Sequence, residues 1–583
     1  CLKSCPLHLK KNIMNETWQH LKTDVLILGS GGAGLCAILH LMDHHPKHQV
    51  FLAVRGLFGK SGCTRMVQGG YNVVLDKSDS LEAHFQDTVK GGQWLNDQEL
   101  AWKMVSEAPG RVLELENRAG CFFDRNPDGT IHQKPFAGQS FDRTVHKGDL
   151  TGIEIINRLS EQVAAMENVT IGEEIRAVDL LFDRSGQKVS GALLIDIRHG
   201  EFIVVQARAV LLATGGGPTM YKITAPCQDK TCDGIAMGFR AGATLMDMEM
   251  VQFHPTGLLA GNSMISGTVL EEGLRGAGAY LINGKGERYM HRYDQREERA
   301  TRDVVSRSSF LEIMAGRGSP EGGVYLDASH LGEEFVMKNF RGMSLRCSDV
   351  GYDLPNAPVV VSPTAHFMMG GLRIDTDCRT DLEGLFTAGE DAAGVHGANR
   401  LGGNGVTEST VFGGIAGDVI ADYLAGQHSN PVQESQMGEM IESILEPFER
   451  KSSTSIYSLR DRCKQSMWVN AGLVRSEESL EKAANEMNEI REQLSTISLS
   501  QGRRAFHLEW MEYLSILNYL DVCDVIIKSA QTRKESRGSH YRSDYPEKEK
   551  NPTFYNICCS WNQKPQRSPV LMTRMEPDIS VPM

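Results

Sequence analysis

The sequence predicts an α/β protein in which a Rossmann-like dinucleotide-binding domain is interrupted by an inserted α+β capping domain and followed by a helical domain. Three observations lead to this prediction. An apolar run near the N-terminus ends in a glycine-rich turn, two later strand-like runs also end on small residues, and apolar residues repeat at helical spacing after about residue 430. The chain has 583 residues, several times the usual size of a domain, so several units are expected.

The first element is a βαβ unit. An apolar run at 25–28 is followed by GSGGAG at 29–34, by the helical pattern of 35–41 and by a second apolar run at 50–54. Glycines let the backbone approach a pyrophosphate, and the N-terminus of the helix supplies free N–H donors. The second strand ends in Ala-Val-Arg55 and lacks the acidic residue that usually binds the ribose of NAD, which counts against NAD.

Two later runs complete the predicted sheet. Residues 202–212 lead into Ala-Thr-Gly-Gly-Gly at 213–217, and residues 382–390 form a similar apolar run that ends on small residues. Together with the first strand they predict one sheet assembled from distant parts of the chain. The glycine-rich and charged segment 252–366 between them predicts the inserted domain.

The last third of the chain has a helical pattern. Five apolar residues repeat every three or four positions after Ser476, a plausible N-cap, and residues 510–527 form a second apolar helical stretch. We interpret both as the core of a helical bundle without chemistry. The predicted units are a tail at 1–23, the dinucleotide-binding domain at 24–251 and 367–428, the capping domain at 252–366, the helical domain at 429–545 and a tail at 546–583. The five repeating residues are Leu480, Ala484, Met487, Ile490 and Leu494.

Composition excludes several classes of protein. The net charge of −13 argues against nucleic-acid binding, and no run approaches the length of a membrane-spanning helix or a secretion signal, so we expect a soluble cytoplasmic chain. The 13 cysteines show neither zinc nor iron–sulfur spacing, which predicts reduced intracellular thiols and no metal site.

Several long motifs resemble the flavoprotein subunits of succinate dehydrogenase and fumarate reductase, a superfamily that includes L-aspartate oxidase. The resemblance extends from about residue 24 to 550. The motifs are GSGGAG at 29–34, QGG at 68–70, AGQS at 137–140, DMEMVQFHPTG at 247–257, TRDVV at 301–305, HFMMGG at 366–371, HGANRLGGN at 396–404 and ESRGSHY at 535–541.

The resemblance implies that the chain interconverts succinate and fumarate on FAD. This reaction needs a hydride acceptor, cationic donors for two carboxylates, and a proton donor. The resemblance assigns the substrate carboxylates to His254, His366 and Arg400, proton transfer to Arg302, and its relay to Glu272 and Arg275. Outside this context, Arg302 and Asp303 would most simply be a pair on the surface of a helix.

The resemblance also places the FAD. It predicts contacts with the glycine turn, with the loop at 61–70, with two carboxylates near the ribose and linker hydroxyls, and with a second glycine segment. The predicted cofactor-binding residues are Gly29, Ser30, Gly31, Gly32, Ala33, Gly34, Arg55, Ser61, Gly62, Cys63, Thr64, Gln68, Gly69, Gly70, Asp233, Glu390, Gly405 and Val406.

Two residues depart from the family pattern. Cys63 stands where most succinate dehydrogenases have the histidine that bonds covalently to FAD, so we expect non-covalent FAD, a thioether being the rarer alternative. Glu271 stands where the family usually has a substrate-binding threonine. A carboxylate there would repel a dicarboxylate unless it were protonated or turned away, which leaves the substrate open.

The partners follow from the same resemblance. Because the sequence has no cluster motif, we expect a separate iron–sulfur subunit and indirect association, through partner subunits, with the inner face of the cytoplasmic membrane. L-aspartate oxidase, which needs no such partner, is the alternative. Aspartate oxidases resemble one another in having a glutamate at the position of Phe136, which favours the first interpretation. A non-catalytic FAD-binding scaffold would leave the arginines and histidines without a role.

Overall fold

The computed structural model describes residues 18–452, 454–549 and 554–577, so most of the predicted N-terminal tail lies outside the described residues. Its centre is a five-stranded parallel sheet in the order Leu385–Thr387, Ala209–Leu212, Val25–Leu28, Val50–Val54 and Val169–Glu173. The prediction of one sheet built from three distant parts of the chain is therefore confirmed.

The run at 202–212 was predicted as one strand, and that prediction is wrong. It forms Glu201–Gln206, in an antiparallel sheet, and Ala209–Leu212, in the parallel sheet. The Ala207 N–H still bonds Ser190 of the first sheet, whereas the Arg208 N–H bonds Asp24, beside the second. The chain changes sheets at this step, which an unbroken apolar pattern does not reveal.

The segment at 252–366 contributes an antiparallel sheet in the order Val251–Leu258, Val359–Met368, Val324–Asp327 and Tyr280–Ile282. A separate hydrophobic cluster draws all its buried residues from 258–361. An inserted domain needs a hydrophobic core of its own, and this cluster provides one.

The C-terminal segment is helical, as predicted. Helix Glu477–Leu494 begins after Ser476, whose side chain accepts the Ser479 N–H in a capping box. The long helix Leu508–Thr532 follows. In the part of the chain that the structure describes, no helix is both long and apolar enough to cross a membrane.

The predicted tail at 546–583 differs in the structure. Strands Tyr555–Cys559 and Gln566–Pro569 extend a sheet that contains Leu245–Met246 and Gly371–Leu372. Apolar side chains of the first of these strands are buried, so this part of the chain packs on the body of the protein and is not a free tail.

The described residues also form further strands, helices and short turns. The remaining strands are Gln19–Lys22, Tyr71–Asn72, Gln133–Lys134, Thr144–Val145, Ile175–Phe182 and Val189–Asp196. The other α-helices are Gly32–His44, Leu81–Gly91, Gln98–Glu114, Thr151–Ala164, Asp233–Arg240, Glu272–Gly276, Arg302–Glu312, Glu333–Asn339, Arg341–Ser348, Asn404–Leu424, Glu434–Glu449 and Ile456–Asn470. Short 3₁₀ or π turns cover Thr64–Met66, Leu115–Ala119, Pro218–Met220, Met290–Arg292, Glu297–Arg299, Ile313–Arg317, Ser329–Leu331 and Gly389–Asp391.

Candidate active site

A cavity of about 670 Å³ lies where the carboxyl ends of the parallel strands face the inserted unit. This volume falls within the usual range of ligand sites. All but two of the predicted site residues line it. The lining residues are Gly29, Ser30, Gly31, Gly32, Ala33, Arg55, Ser61, Gly62, Cys63, Thr64, Gln68, Gly69, Gly70, Asp233, His254, Glu271, Glu272, Arg302, His366, Glu390, Arg400, Gly405 and Val406. The exceptions, Gly34 and Arg275, lie behind this wall.

The glycine turn fits a dinucleotide. Gly29 has φ +108°, and a Cβ there would lie 2.2 Å from the Ala213 carbonyl oxygen. A Cβ on Gly34 would lie 2.0 Å from the Gly29 carbonyl oxygen, so both positions exclude a side chain. A Cβ on Gly31 would meet only the Thr64 hydroxyl, at 3.5 Å, which leaves the start of helix Gly32–His44 open to the cavity. Backbone N–H groups at such a turn suit a pyrophosphate.

The two carboxylates assigned to FAD hydroxyls also have protein partners. Asp233 accepts hydrogen bonds from Arg176 at 2.8 Å and Asn518 at 2.7 Å, and lies 3.3 Å from Arg55. Burial would raise the pKa of Asp233, but these arginines lower it. Glu390 is paired with Lys230, a cavity residue that sequence reasoning missed.

Two arginines meet at one amide oxygen. Arg302 begins helix Arg302–Glu312, and its Nη1 donates to Gln252 Oε1 at 3.2 Å, as Arg400 Nη2 does at the same distance. The Gln252 amide nitrogen donates to the Arg400 carbonyl at 2.7 Å, which turns its oxygen towards both guanidinium groups. Gln252 lies inside one of the predicted motifs, but no role was assigned to it.

Arg302 is buried against Glu272 and is not part of a surface pair with Asp303. Its Nε lies 2.9 Å from Glu272 Oε2, and Arg275 approaches the other oxygen of Glu272 at 3.5 Å. Burial would raise the pKa of Glu272, but Arg302 and Arg275 together lower it, so the carboxylate stays ionised. Arg275 does not line the cavity, but it contacts Glu272, which does.

Arg400 lies with its guanidinium carbon 4.0 Å from the centre of the Phe367 ring, and its Nε is buried without a hydrogen-bond partner. Burial and the nearby Arg302 lower the pKa of Arg400. An anionic ligand would offset both effects. It would give the Arg400 Nε a hydrogen-bond acceptor, and its negative charge would compensate the buried guanidinium.

His254 and His366 lie together, with ring centres 5.5 Å apart. His254 Nδ1 accepts the Thr256 N–H at 3.3 Å, so its proton is on Nε2. Burial, followed by the surrounding arginines, holds the pKa of both rings well below the usual value. Both are therefore neutral imidazoles that can each donate one hydrogen bond.

Glu271 is not turned away from the cavity, one of the two alternatives expected from the sequence, and it has a cationic partner. Its carboxylate is 5% exposed, lines the cavity and accepts a hydrogen bond from Lys134 Nζ at 2.8 Å. Lys134 comes from strand Gln133–Lys134 and was missed, because 137 residues separate it from Glu271. The lysine compensates the charge that was expected to repel a dicarboxylate.

Cys63 lines the cavity and lies beside a second thiol, with its Sγ 3.6 Å from Cys227 Sγ. Among the described residues, no group of three or more His, Cys, Asp or Glu side chains is placed to hold a metal ion.

Comparison with known proteins identifies the family of the chain. The family described as "FAD binding domain" matches residues 24–406, and that described as "Fumarate reductase flavoprotein C-term" matches residues 460–580. The chain is 42% identical to one of the subunits of the fumarate reductase (CoM/CoB) of Methanothermobacter marburgensis, over 90% of this chain and 94% of that one. It is 34% identical to the succinate dehydrogenase flavoprotein subunit of Rickettsia bellii, over 91% of each chain. A solved structure of E. coli quinol fumarate reductase, carrying a Glu-to-Gln substitution in its FrdA chain, aligns with a TM-score of 0.90 at 29% identity, over 96% of this chain and 99% of that chain.

Proposed function

The chain belongs to the family of fumarate reductase and succinate dehydrogenase flavoprotein subunits, FAD-dependent oxidoreductases, and within that family we propose that it interconverts succinate and fumarate at this cavity. We further propose that it holds FAD without a covalent bond and passes electrons to an iron–sulfur partner subunit.

The arginine pair at Gln252 carries this proposal. Two guanidinium groups share one neutral acceptor, and the Nε of Arg400 has no partner, so the site is short of negative charge. Two neutral imidazoles beside them can each donate a hydrogen bond. A small dianion with a carboxylate at each end matches this set of donors, and Arg400 suits one carboxylate in a bidentate arrangement.

The remaining cluster can move a proton. Bound FAD supplies the two-electron redox centre. Arg302 holds a proton at the cavity wall, and the ionised Glu272, hydrogen-bonded to its Nε, can accept and return that proton. Arg275 stabilises the negative charge of Glu272 from behind. These three residues provide a proton path that ends where the carbon of a bound dicarboxylate would lie.

The amino-acid alternative has less support. An aspartate oxidase site needs an anion for the substrate ammonium, and the carboxylate that could serve, Glu271, is already paired with Lys134. Phe136, also in the cavity wall, brings no charge.

The chemistry of the reaction requires an electron acceptor. Turnover with succinate requires that the two electrons taken from it leave the site for another protein or for a small acceptor. We propose an iron–sulfur subunit that lies at the inner face of the cytoplasmic membrane through further subunits. Co-purification from the native host, with iron analysis of the complex, tests this part.

An anaerobic assay with a reduced viologen dye tests the reaction. We expect dye oxidation with fumarate, reduction of an artificial acceptor with succinate, and no turnover of L-aspartate.

Gln252→Leu should weaken fumarate turnover, because both arginines lose their shared acceptor, whereas Gln133→Leu, on the strand beside Lys134, serves as the control. Activity with L-aspartate alone would refute the proposal.

A further inference from the structure

A pair of thiols in the wall of the FAD cavity is not used by the proposed reaction. Cys63 Sγ and Cys227 Sγ lie 3.6 Å apart and share a hydrogen bond. Both side chains are half-buried and both line the cavity. The residues come from loops 164 positions apart in sequence, so the fold itself brings them together.

We propose that Cys63 and Cys227 form a redox-active dithiol that exchanges with small aliphatic disulfides and closes to an intramolecular disulfide in the wall of the FAD cavity. The arginine and histidine cluster lines the same cavity but takes no part in this exchange, and the proposal does not depend on which dicarboxylate the enzyme uses.

The surroundings of the two thiols shift their pKa values in opposite directions. The hydrogen bond from Cys227 lowers the pKa of Cys63 to about 7; burial opposes this effect and the Lys230 ammonium reinforces it. The same hydrogen bond, together with burial, raises the pKa of Cys227. Since the thiolate is the attacking species, Cys63 reacts first and Cys227 resolves the product.

The reaction balances without a metal or a further oxidant. The Cys63 thiolate attacks one sulfur of a small disulfide, forms a mixed disulfide and releases one small thiolate. Cys227 transfers its proton to that thiolate and attacks the Cys63 sulfur, which releases the second. Two cysteine thiols are oxidised to one disulfide, and the small disulfide is reduced to two thiols.

Other cysteines provide the contrast. Cys558 is also half-buried, but it lies outside the cavity, and burial raises its pKa to about 11. Cys232, only five positions from Cys227, is fully buried, and its pKa is raised well above the usual value. Neither has the acidic thiol that distinguishes Cys63.

Tryptic mapping tests the proposal directly. Cleavage after Lys60 and Arg65 isolates Cys63 in SGCTR, and cleavage after Lys222 and Lys230 isolates Cys227 in ITAPCQDK. The FAD-loaded protein is treated anaerobically with glutathione disulfide, quenched with an alkylating agent and digested. We expect the two peptides joined by a disulfide, in wild type and in Cys558→Ser alike.

Single variants test the order of attack. Cys227→Ser should accumulate glutathione on Cys63, whereas Cys63→Ser should leave Cys227 largely unmodified. The alkylation rate of Cys63 should rise with a midpoint near pH 7 in wild type and shift towards about 8.5 in Cys227→Ser, because the hydrogen bond is lost. Circular dichroism and the FAD content of each variant report whether it has folded.

Three results would overturn the proposal. One is the absence of joined peptides in wild type with both cysteines still alkylated. Another is equal glutathionylation of Cys63 and Cys227 in the two single variants. The last is recovery of SGCTR bearing covalent flavin, which would show that Cys63 is consumed by a thioether bond.

Discussion

The ion pair between Glu271 and Lys134 permits a quantitative test of the substrate. Lys134→Met removes the cation and leaves the Glu271 carboxylate, 5% exposed, facing the cavity. The Phe136 ring separates this carboxylate from the arginine cluster, since a Cβ on Gly69 would meet Phe136 at 2.4 Å and Glu271 at 3.5 Å, and one on Gly402 would meet Phe136 at 2.7 Å and Arg302 at 2.9 Å. For a substrate that contacts Arg302, the Phe136 ring thus lies between that substrate and Glu271.

That spacing sets the expected magnitude. At about 8 Å and an effective dielectric constant of about 20, two unit charges interact by about 2 kcal/mol. Each 1.4 kcal/mol or so is a factor of ten in affinity, so Lys134→Met should raise the KM for fumarate about 30-fold. Glu271→Thr should lower it, because it removes the anion and frees the lysine. The double variant should lie within about threefold of wild type.

Steady-state kinetics under anaerobic conditions measure all four proteins of this cycle. Lys147→Met is a matched control, because Lys147 also pairs with a carboxylate, Asp124 at 3.4 Å, and also lies over a phenylalanine ring, but outside the cavity. Lys134→Arg keeps the charge and should keep the KM. Shifts of the KM in the same direction for Lys134→Met and Glu271→Thr, or a double variant whose KM differs from wild type by much more than threefold, would refute the electrostatic reasoning.

Four other outcomes are expected. Arg302→Ala should reduce turnover at least about 10²-fold while flavin absorbance per protein stays near wild type, because the loss is proton transfer; substantial residual turnover would place the proton donor elsewhere. Acid precipitation should release the flavin into the supernatant, and flavin in the pellet would contradict non-covalent binding. Gly34→Ala should purify with little FAD, because its Cβ would lie 2.0 Å from the Gly29 carbonyl oxygen, whereas Gly110→Ala, in open space, should retain it. The pKa values of His254 and His366 are well below 6.5, so both rings stay neutral between about pH 6 and 8. In that pH range, kcat/KM for fumarate should therefore show no step from the titration of these histidines.

The sequence was sufficient where a constraint is local. Gly29 and Gly34 could be predicted because a sharp turn between strand and helix excludes a side chain at both positions, whatever the rest of the chain does. Ser476 could be predicted as an N-cap for the same reason. The break between Gln206 and Ala209 could not, since an apolar run does not reveal which sheet each half joins.

The partners in the site depend on long-range contacts. Gln252 stands in a recognisable motif, yet its role follows only from the meeting of Arg302 and Arg400 at one oxygen. Lys230 was missed because no residue near it in sequence indicates that it pairs with a buried carboxylate. Its partner Glu390 lies 160 residues away. Residue types in motifs could thus be assigned, but their counter-charges could not.

The two residues that depart from the family pattern share one feature: each has a partner from a distant loop or strand. Cys63 faces Cys227, and Glu271 faces Lys134. In both cases the isolated residue suggests a defect, a lost covalent attachment or a misplaced negative charge, and the partner supplies different chemistry at the same place. Each pair therefore acts as a unit, so substituting one member alone should leave the other as an uncompensated thiol or cation. Glu271→Thr is therefore expected to need a neutral residue at 134 as well before the KM for fumarate returns to near its wild-type value.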